Sequence, residues 1–210
     1  MNKKVIYTCI VGDYDTLKEP LVKTEGWDYI CFTDQDFKSD NWKIVKLGRS
    51  DVKEQRRKKI YNEYILNAYE ASIWLDGSMY INTDLDKFVL ENCNSDFSLM
   101  KHPSRNCTYH EALACLQLNK DSKETIEQQV KGYKEEGFPS NEGMVATGVM
   151  YRKHTIEVKR LLIRWWMQVC EKSKRDQLSF NYVVWKHGYE YTTFPFTVLN
   201  KEFVITNHKK

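Results

Sequence analysis

Asp76-Gly77-Ser78 sets a carboxylate and a hydroxyl two residues apart across a glycine, directly after the apolar run Ile73-Trp74-Leu75. Oxygen ligands at that spacing suit a hard cation, Mn²⁺ or Mg²⁺, which keeps coordination positions for water and phosphate oxygens. The same tripeptide is ordinary turn chemistry, so its meaning depends on its surroundings. Arg56-Arg57-Lys58-Lys59 supplies cations nearby in sequence. Arg57 shares a helical face with Tyr61, Tyr64 and Ala68, and is the residue expected to meet a diphosphate held at the cation; the competing reading is a solvated charged face. Gly12-Asp13-Tyr14-Asp15 is a loop on which a nucleotide base could rest, or a plain strand-to-helix turn. His102-Pro103-Ser104-Arg105, with Tyr109, His110 and Glu111 close behind, is a further polar cluster at the end of an apolar run.

These side chains need a scaffold that brings loops to one edge. Residues 5–11, 29–34 and 42–47 read as strands, the first two buried and the third alternating. Residues 51–71 switch to helical spacing and feed the strand that ends at Asp76. Gly77 allows the sharp turn after it, at the carboxyl edge where open α/β sheets bind ligands. A short helix over 84–90, a strand over 97–102, helices over 109–119 and 121–136, and a glycine-bearing strand over 142–151 follow. Gly148 in that strand permits close backbone approach to a ligand. Residues 156–172 form an amphipathic helix whose Trp165 and Trp166 are packing residues. Arg175-Asp176-Gln177 opens another helix, with Asp176 at the N-cap, and a strand over 189–194 closes the series. The pattern is α/β.

Composition narrows the alternatives. A chain of 210 residues with 41% hydrophobic content supports one core, read as a single domain over 1–210 that can continue into further domains of a longer chain. Basic and acidic residues number 32 and 29, a net +3 that gives no argument for nucleic acid. Six cysteines without a C-x-x-C pair indicate neither a zinc site nor a disulfide framework. No run approaches membrane-spanning length and no signal-type leader opens the chain, so a reduced, cytoplasmic setting is expected.

Five ordered blocks carry a resemblance: residues 7–15, 29–34, 72–78, 102–112 and 175–177. Together they resemble glycosyltransferases of the GT-A fold. Within these, they are similar to a small family shared by plant mucilage-related transferases, bacterial surface-polysaccharide proteins and an algal-virus glycosyltransferase. The resemblance implies a Rossmann-like α/β fold with a mixed, mostly parallel sheet flanked by helices. It implies metal-dependent transfer of a hexose or deoxyhexose from a nucleotide sugar, a UDP-sugar by resemblance alone, to a hydroxyl of a glycan or glycoprotein acceptor. The donor is then expected against Thr8, Val11, Gly12, Tyr14, Arg57, Asp76, Gly77, Ser78, His102 and Gly148, with Gly148 matching the glycine-bearing loop beside the acceptor. Asp76-Gly77-Ser78 stands where such enzymes carry Asp-x-Asp, with serine replacing the second acid. His208 matches a histidine that completes the metal site. Asp176 matches the acid that often serves as base, and Glu142 is the second candidate. Two alternatives remain open. A sugar-phosphate nucleotidyltransferase would carry a glycine-rich, basic loop where this chain has Val11-Gly12-Asp13-Tyr14. A non-catalytic carbohydrate-binding domain would use the chain's 13 tyrosines and 6 tryptophans for stacking.

Overall fold

The computed structural model describes residues 3–206. Seven strands form the main sheet: β1 (Lys4–Ile10), β2 (Trp27–Thr33), β3 (Lys43–Lys46), β4 (Ala71–Leu75), β6 (Phe97–Lys101), β7 (Val145–Lys153) and β8 (Thr192–Phe194). Their order is β3-β2-β1-β4-β7-β6-β8, and only β7 runs against the rest. A small second sheet pairs β5 (Met79–Ile81) with β9 (Phe203–Ile205) antiparallel. The helices are α1 (Val52–Ile60), α2 (Glu63–Ala68), α3 (Leu85–Asn92), α4 (Thr108–Gln117), α5 (Lys123–Glu135), α6 (Ile156–Glu171) and α7 (Gln177–His187). This is the mixed, mostly parallel, Rossmann-like layout expected.

The apolar runs become strands because both faces of the sheet are covered, so no polar alternation is needed. Alternation instead sorts side chains between two cores. Val5, Tyr7, Cys9 and Trp74 enter one core with Leu161, Trp165 and Phe180. Ile6, Ile10, Ile73 and Leu75 enter the other with Phe88 and Phe203. The parallel strands β1 and β4 therefore end side by side, and β7 begins at that same edge. Leu75 pairs with Val149, and the Asp76 N–H donates to the Gly148 carbonyl at 2.9 Å.

Two segments depart from the sequence expectation. The helix expected over 51–71 is broken: α1 stops at Ile60, and Asn62 caps α2 by accepting from the Ile65 N–H. The cause lies in β7, where the Arg152 guanidinium donates to the Lys59 and Ile60 carbonyls at 2.9 and 3.1 Å. Those carbonyls would otherwise serve a continuing helix. Arg57, Tyr61, Tyr64 and Ala68 therefore share no continuous face, and the inward residues of α1 are Lys59 and Ile60. The other departure is β9, three residues whose Thr206 neighbour holds the Ser78 carbonyl through its N–H at 2.7 Å. The six cysteines are free thiols, and burial pushes that of Cys31 up to about 12. Among the described residues, no helix is long and apolar enough to cross a membrane.

Candidate active site

Asp76 follows directly on β4, whose Trp74 is fully buried. Its Oδ1 accepts from Trp74 Nε1 at 2.8 Å and from Lys59 Nζ at 3.3 Å. Its Oδ2 takes no hydrogen bond among the described residues. Gly148 keeps that oxygen clear, and Gly77 keeps the turn after it tight against Ile10. A Cβ on Gly148 would stand 2.9 Å from Met79 Cε and 3.4 Å from Asp76 Oδ2, and one on Gly77 would stand 2.7 Å from Ile10 Cγ1 and 3.5 Å from Asp15 Oδ2. Two carboxylates, Asp15 and Asp76, thus border the same glycine.

Behind Asp76 lies a buried charge cluster. Lys59 Nζ is 3.0 Å from Asp176 Oδ2 and 3.0 Å from Thr147 Oγ1, which itself donates to Asp176 Oδ2 at 3.0 Å. Arg56 Nε is 3.6 Å from Asp176 Oδ1. Asp176 does occupy the N-cap position of α7, yet its side chain makes no capping bond. The carboxylate faces Lys59 instead. Burial pushes its pKa up, but the charges of Lys59, Arg56 and Arg175, with the Lys59 hydrogen bond, outweigh burial and hold it well below the usual carboxylate range. Asp176, expected as the base, is enclosed and paired with Lys59, and a carboxylate so held is a weak base.

Two cavities meet in front of this cluster. The larger, about 470 Å³, runs from Val11, Tyr14 and Asp15 past Val52 and Gln55 to a basic wall of Lys120, Lys174 and Arg175. The smaller, about 250 Å³, has a polar side of Lys59, Thr147, Asp176 and Gln177 and an apolar side of Met79, Met100, Phe196, Leu199 and Ile205. Arg56, Asp76 and Arg175 line both. Arg56 Nε and Arg175 Nε are buried without a hydrogen-bond partner. Two guanidinium groups therefore flank the Asp76 carboxylate, whose Oδ2 takes no hydrogen bond among the described residues. A depression of about 540 Å³ beside Arg49 and Glu54 has no such convergence.

The residues singled out from sequence divide accordingly. Val11, Tyr14, Asp76, Gly77 and Ser78 line the larger cavity, and Gly148 and Asp176 the smaller. Thr8 is buried within β1 and lines neither. Gly12 has a left-handed φ of 61° and spends its N–H on Asp34 Oδ1 at 3.0 Å. Arg57 turns away to Glu54, Nε to Oε2 at 3.0 Å, while Arg56 and Lys59 of the same helix line the cavities. His102 Nδ1 accepts from the Arg105 N–H at 3.0 Å, and its other nitrogen faces Arg105 and the buried Glu111, so it serves that network and lines neither cavity. Glu142 is exposed on the loop before β7, outside both cavities. His208 lies outside the described residues. Sequence reasoning missed Arg56, Lys59, Thr147, Arg175 and Gln177. The available signal was the i, i+3, i+4 set Arg56, Lys59, Ile60, in which an apolar residue marks the inward face.

Among the described residues, no three His, Cys, Asp or Glu side chains gather as a metal cluster. What the site offers a cation is Asp76 Oδ2, with the Ser78 hydroxyl two residues on in the same cavity. That donor set fits a hard divalent ion drawing most of its ligands from water and phosphate. A family model described as TOD1/MUCI70, glycosyltransferase-like domain, matches residues 30–209. No curated protein matches the chain.

Proposed function

The chain belongs to the TOD1/MUCI70 glycosyltransferase-like family, and from that premise we propose that it moves a hexosyl or deoxyhexosyl group from a nucleotide sugar, a UDP-sugar, to a hydroxyl of a glycan or glycoprotein. The observation that carries the proposal is the meeting of Arg56, Asp76 and Arg175 where the two cavities join. A diphosphate at that junction places its nucleoside in the larger cavity, against Val11 and Tyr14, and its sugar in the smaller one.

Breaking the glycosidic bond builds negative charge on the departing diphosphate and oxocarbenium character on the sugar. Arg56 and Arg175, which line both cavities, set positive charge beside the developing negative charge. A Mn²⁺ or Mg²⁺ ion held through Asp76 Oδ2 and Ser78 would supply further neutralisation of the diphosphate. Asp176 contributes by anchoring Lys59 and Arg56. The apolar side of the smaller cavity excludes water from the anomeric carbon, which disfavours hydrolysis of the donor.

The test is a thermal-shift panel of nucleotide sugars with and without Mn²⁺, since a ligand of the native state raises apparent stability. A metal-dependent rise with UDP-sugars, larger than with other nucleotide sugars, is the expected result. No shift with any nucleotide or nucleotide sugar would remove the proposal.

A further inference from the structure

Lys59 is 2% exposed, the most enclosed ammonium at the site. An ammonium has three N–H donors, and Lys59 has three acceptors: Asp176 Oδ2 at 3.0 Å, Thr147 Oγ1 at 3.0 Å and Asp76 Oδ1 at 3.3 Å. None is left for a phosphate oxygen, so Lys59 differs in kind from Arg56 and Arg175. What it fixes is the carboxylate of Asp76. With Oδ1 held by both Lys59 and Trp74 Nε1, Oδ2 is the oxygen left open.

The seat of Lys59 is itself built. Arg152 is wholly buried in β7 and has no acidic partner among the described residues. It bonds the Lys59 and Ile60 carbonyls at 2.9 and 3.1 Å and the Tyr7 hydroxyl, and that hydroxyl donates to the Lys59 carbonyl at 3.2 Å. A guanidinium buried against neutral acceptors alone is costly. Its contacts end α1 one residue past Lys59 and so set the direction of the lysine.

We propose that Lys59, seated by Arg152, is a positioning residue of the donor site: it spends its full donor capacity on Asp76, Thr147 and Asp176 so that Asp76 presents Oδ2 to the cation and diphosphate. This rests on the nucleotide-sugar reading above. The two are separated by measuring UDP affinity with and without MnCl₂ by calorimetry, on the whole chain, alongside the thermal melting of each variant. Lys59→Met removes the donors, Lys59→Gln returns two N–H groups without charge, and Thr147→Val removes one acceptor without touching a charge.

For a residue that orients a metal ligand, UDP affinity in Mn²⁺ is expected to fall about 10–100-fold in Lys59→Met. Affinity without Mn²⁺ should change much less, Lys59→Gln should recover part of the loss, and Thr147→Val should show a smaller loss of the same metal-dependent kind. A purely structural role would lower both affinities together, and that result overturns the proposal. So does wild-type affinity in a folded Lys59→Met, or equal losses in Met and Gln. Should Lys59→Met fail to melt cooperatively, wild-type affinity in Thr147→Val overturns it. Failure of the unaltered protein to bind UDP overturns the donor reading as well.

Discussion

The two ends of β4 carry polar clusters of opposite character. At its start, Ser72 Oγ bonds His154 Nε2 at 2.8 Å and His154 Nδ1 bonds the Tyr69 carbonyl at 2.6 Å, so both ring nitrogens and the hydroxyl are matched. Past its end, Asp76 Oδ2 takes no hydrogen bond among the described residues, and Asp76 lines both cavities together with Arg56 and Arg175. The first cluster resembles a nucleophile and base by composition alone, yet its members line neither of the two cavities described. Spare hydrogen-bonding capacity beside a cavity, rather than burial of polar residues, is what the donor-site proposal rests on.

The contrast breaks most visibly at Asp76. Asp76→Asn keeps an acceptor for Trp74 and Lys59 but weakens the hold on a cation. Transfer should fall at least about a hundredfold, the several kcal/mol expected of a metal at a phosphoryl oxygen, with little change in melting temperature. Initial rates with a UDP-sugar and Mn²⁺, beside a melting curve, check this. Asp176→Asn reverses the pattern: it removes the negative charge that faces a buried ammonium, so stability should drop by about 3 kcal/mol in urea denaturation, and donor affinity should fall with it. A catalytic base would instead lose turnover with donor affinity intact.

At the other end of the strand the expected effect is one of pH. Burial pushes the His154 pKa down to about 4, outweighing the Tyr69 carbonyl, which favours the charged form. The unfolded chain therefore binds the proton more readily. Stability is complete above the ordinary histidine value near pH 6.5 and declines as pH falls toward 4, by up to about 3 kcal/mol. Urea titrations at a series of pH values should show this slope, and His154→Gln should flatten it, while UDP affinity at neutral pH should be unchanged. The smallest effect sharpens the comparison within one helix. Arg57→Ala, which loses a partly exposed pair with Glu54, should cost less than about 1 kcal/mol and leave UDP binding alone, whereas Arg56→Ala should weaken UDP binding measurably by calorimetry.

The central strands β1, β2 and β4 were legible because each is an apolar run covered on both faces, and Asp76 stood out because such a run ends on a carboxylate before a glycine. The choice between Arg56 and Arg57 was not legible. It depends on which face of α1 packs inward, and that face meets Asp76, Thr147 and Asp176, residues far away in the chain. Asp176 was read as a cap because its position is that of a cap. Its side chain instead meets Lys59 and Thr147, contacts that no local pattern encodes. The segment β9 is three residues long and has no periodicity to read.

The claim at the centre is the junction of Arg56, Asp76 and Arg175. A crystal structure of the protein with UDP and Mn²⁺ tests it directly. The diphosphate should lie between the two guanidinium groups, with the ion on Asp76 Oδ2 and Lys59 still bonded to Oδ1. A diphosphate bound elsewhere, with the Asp76 carboxylate turned from the ion, would contradict it.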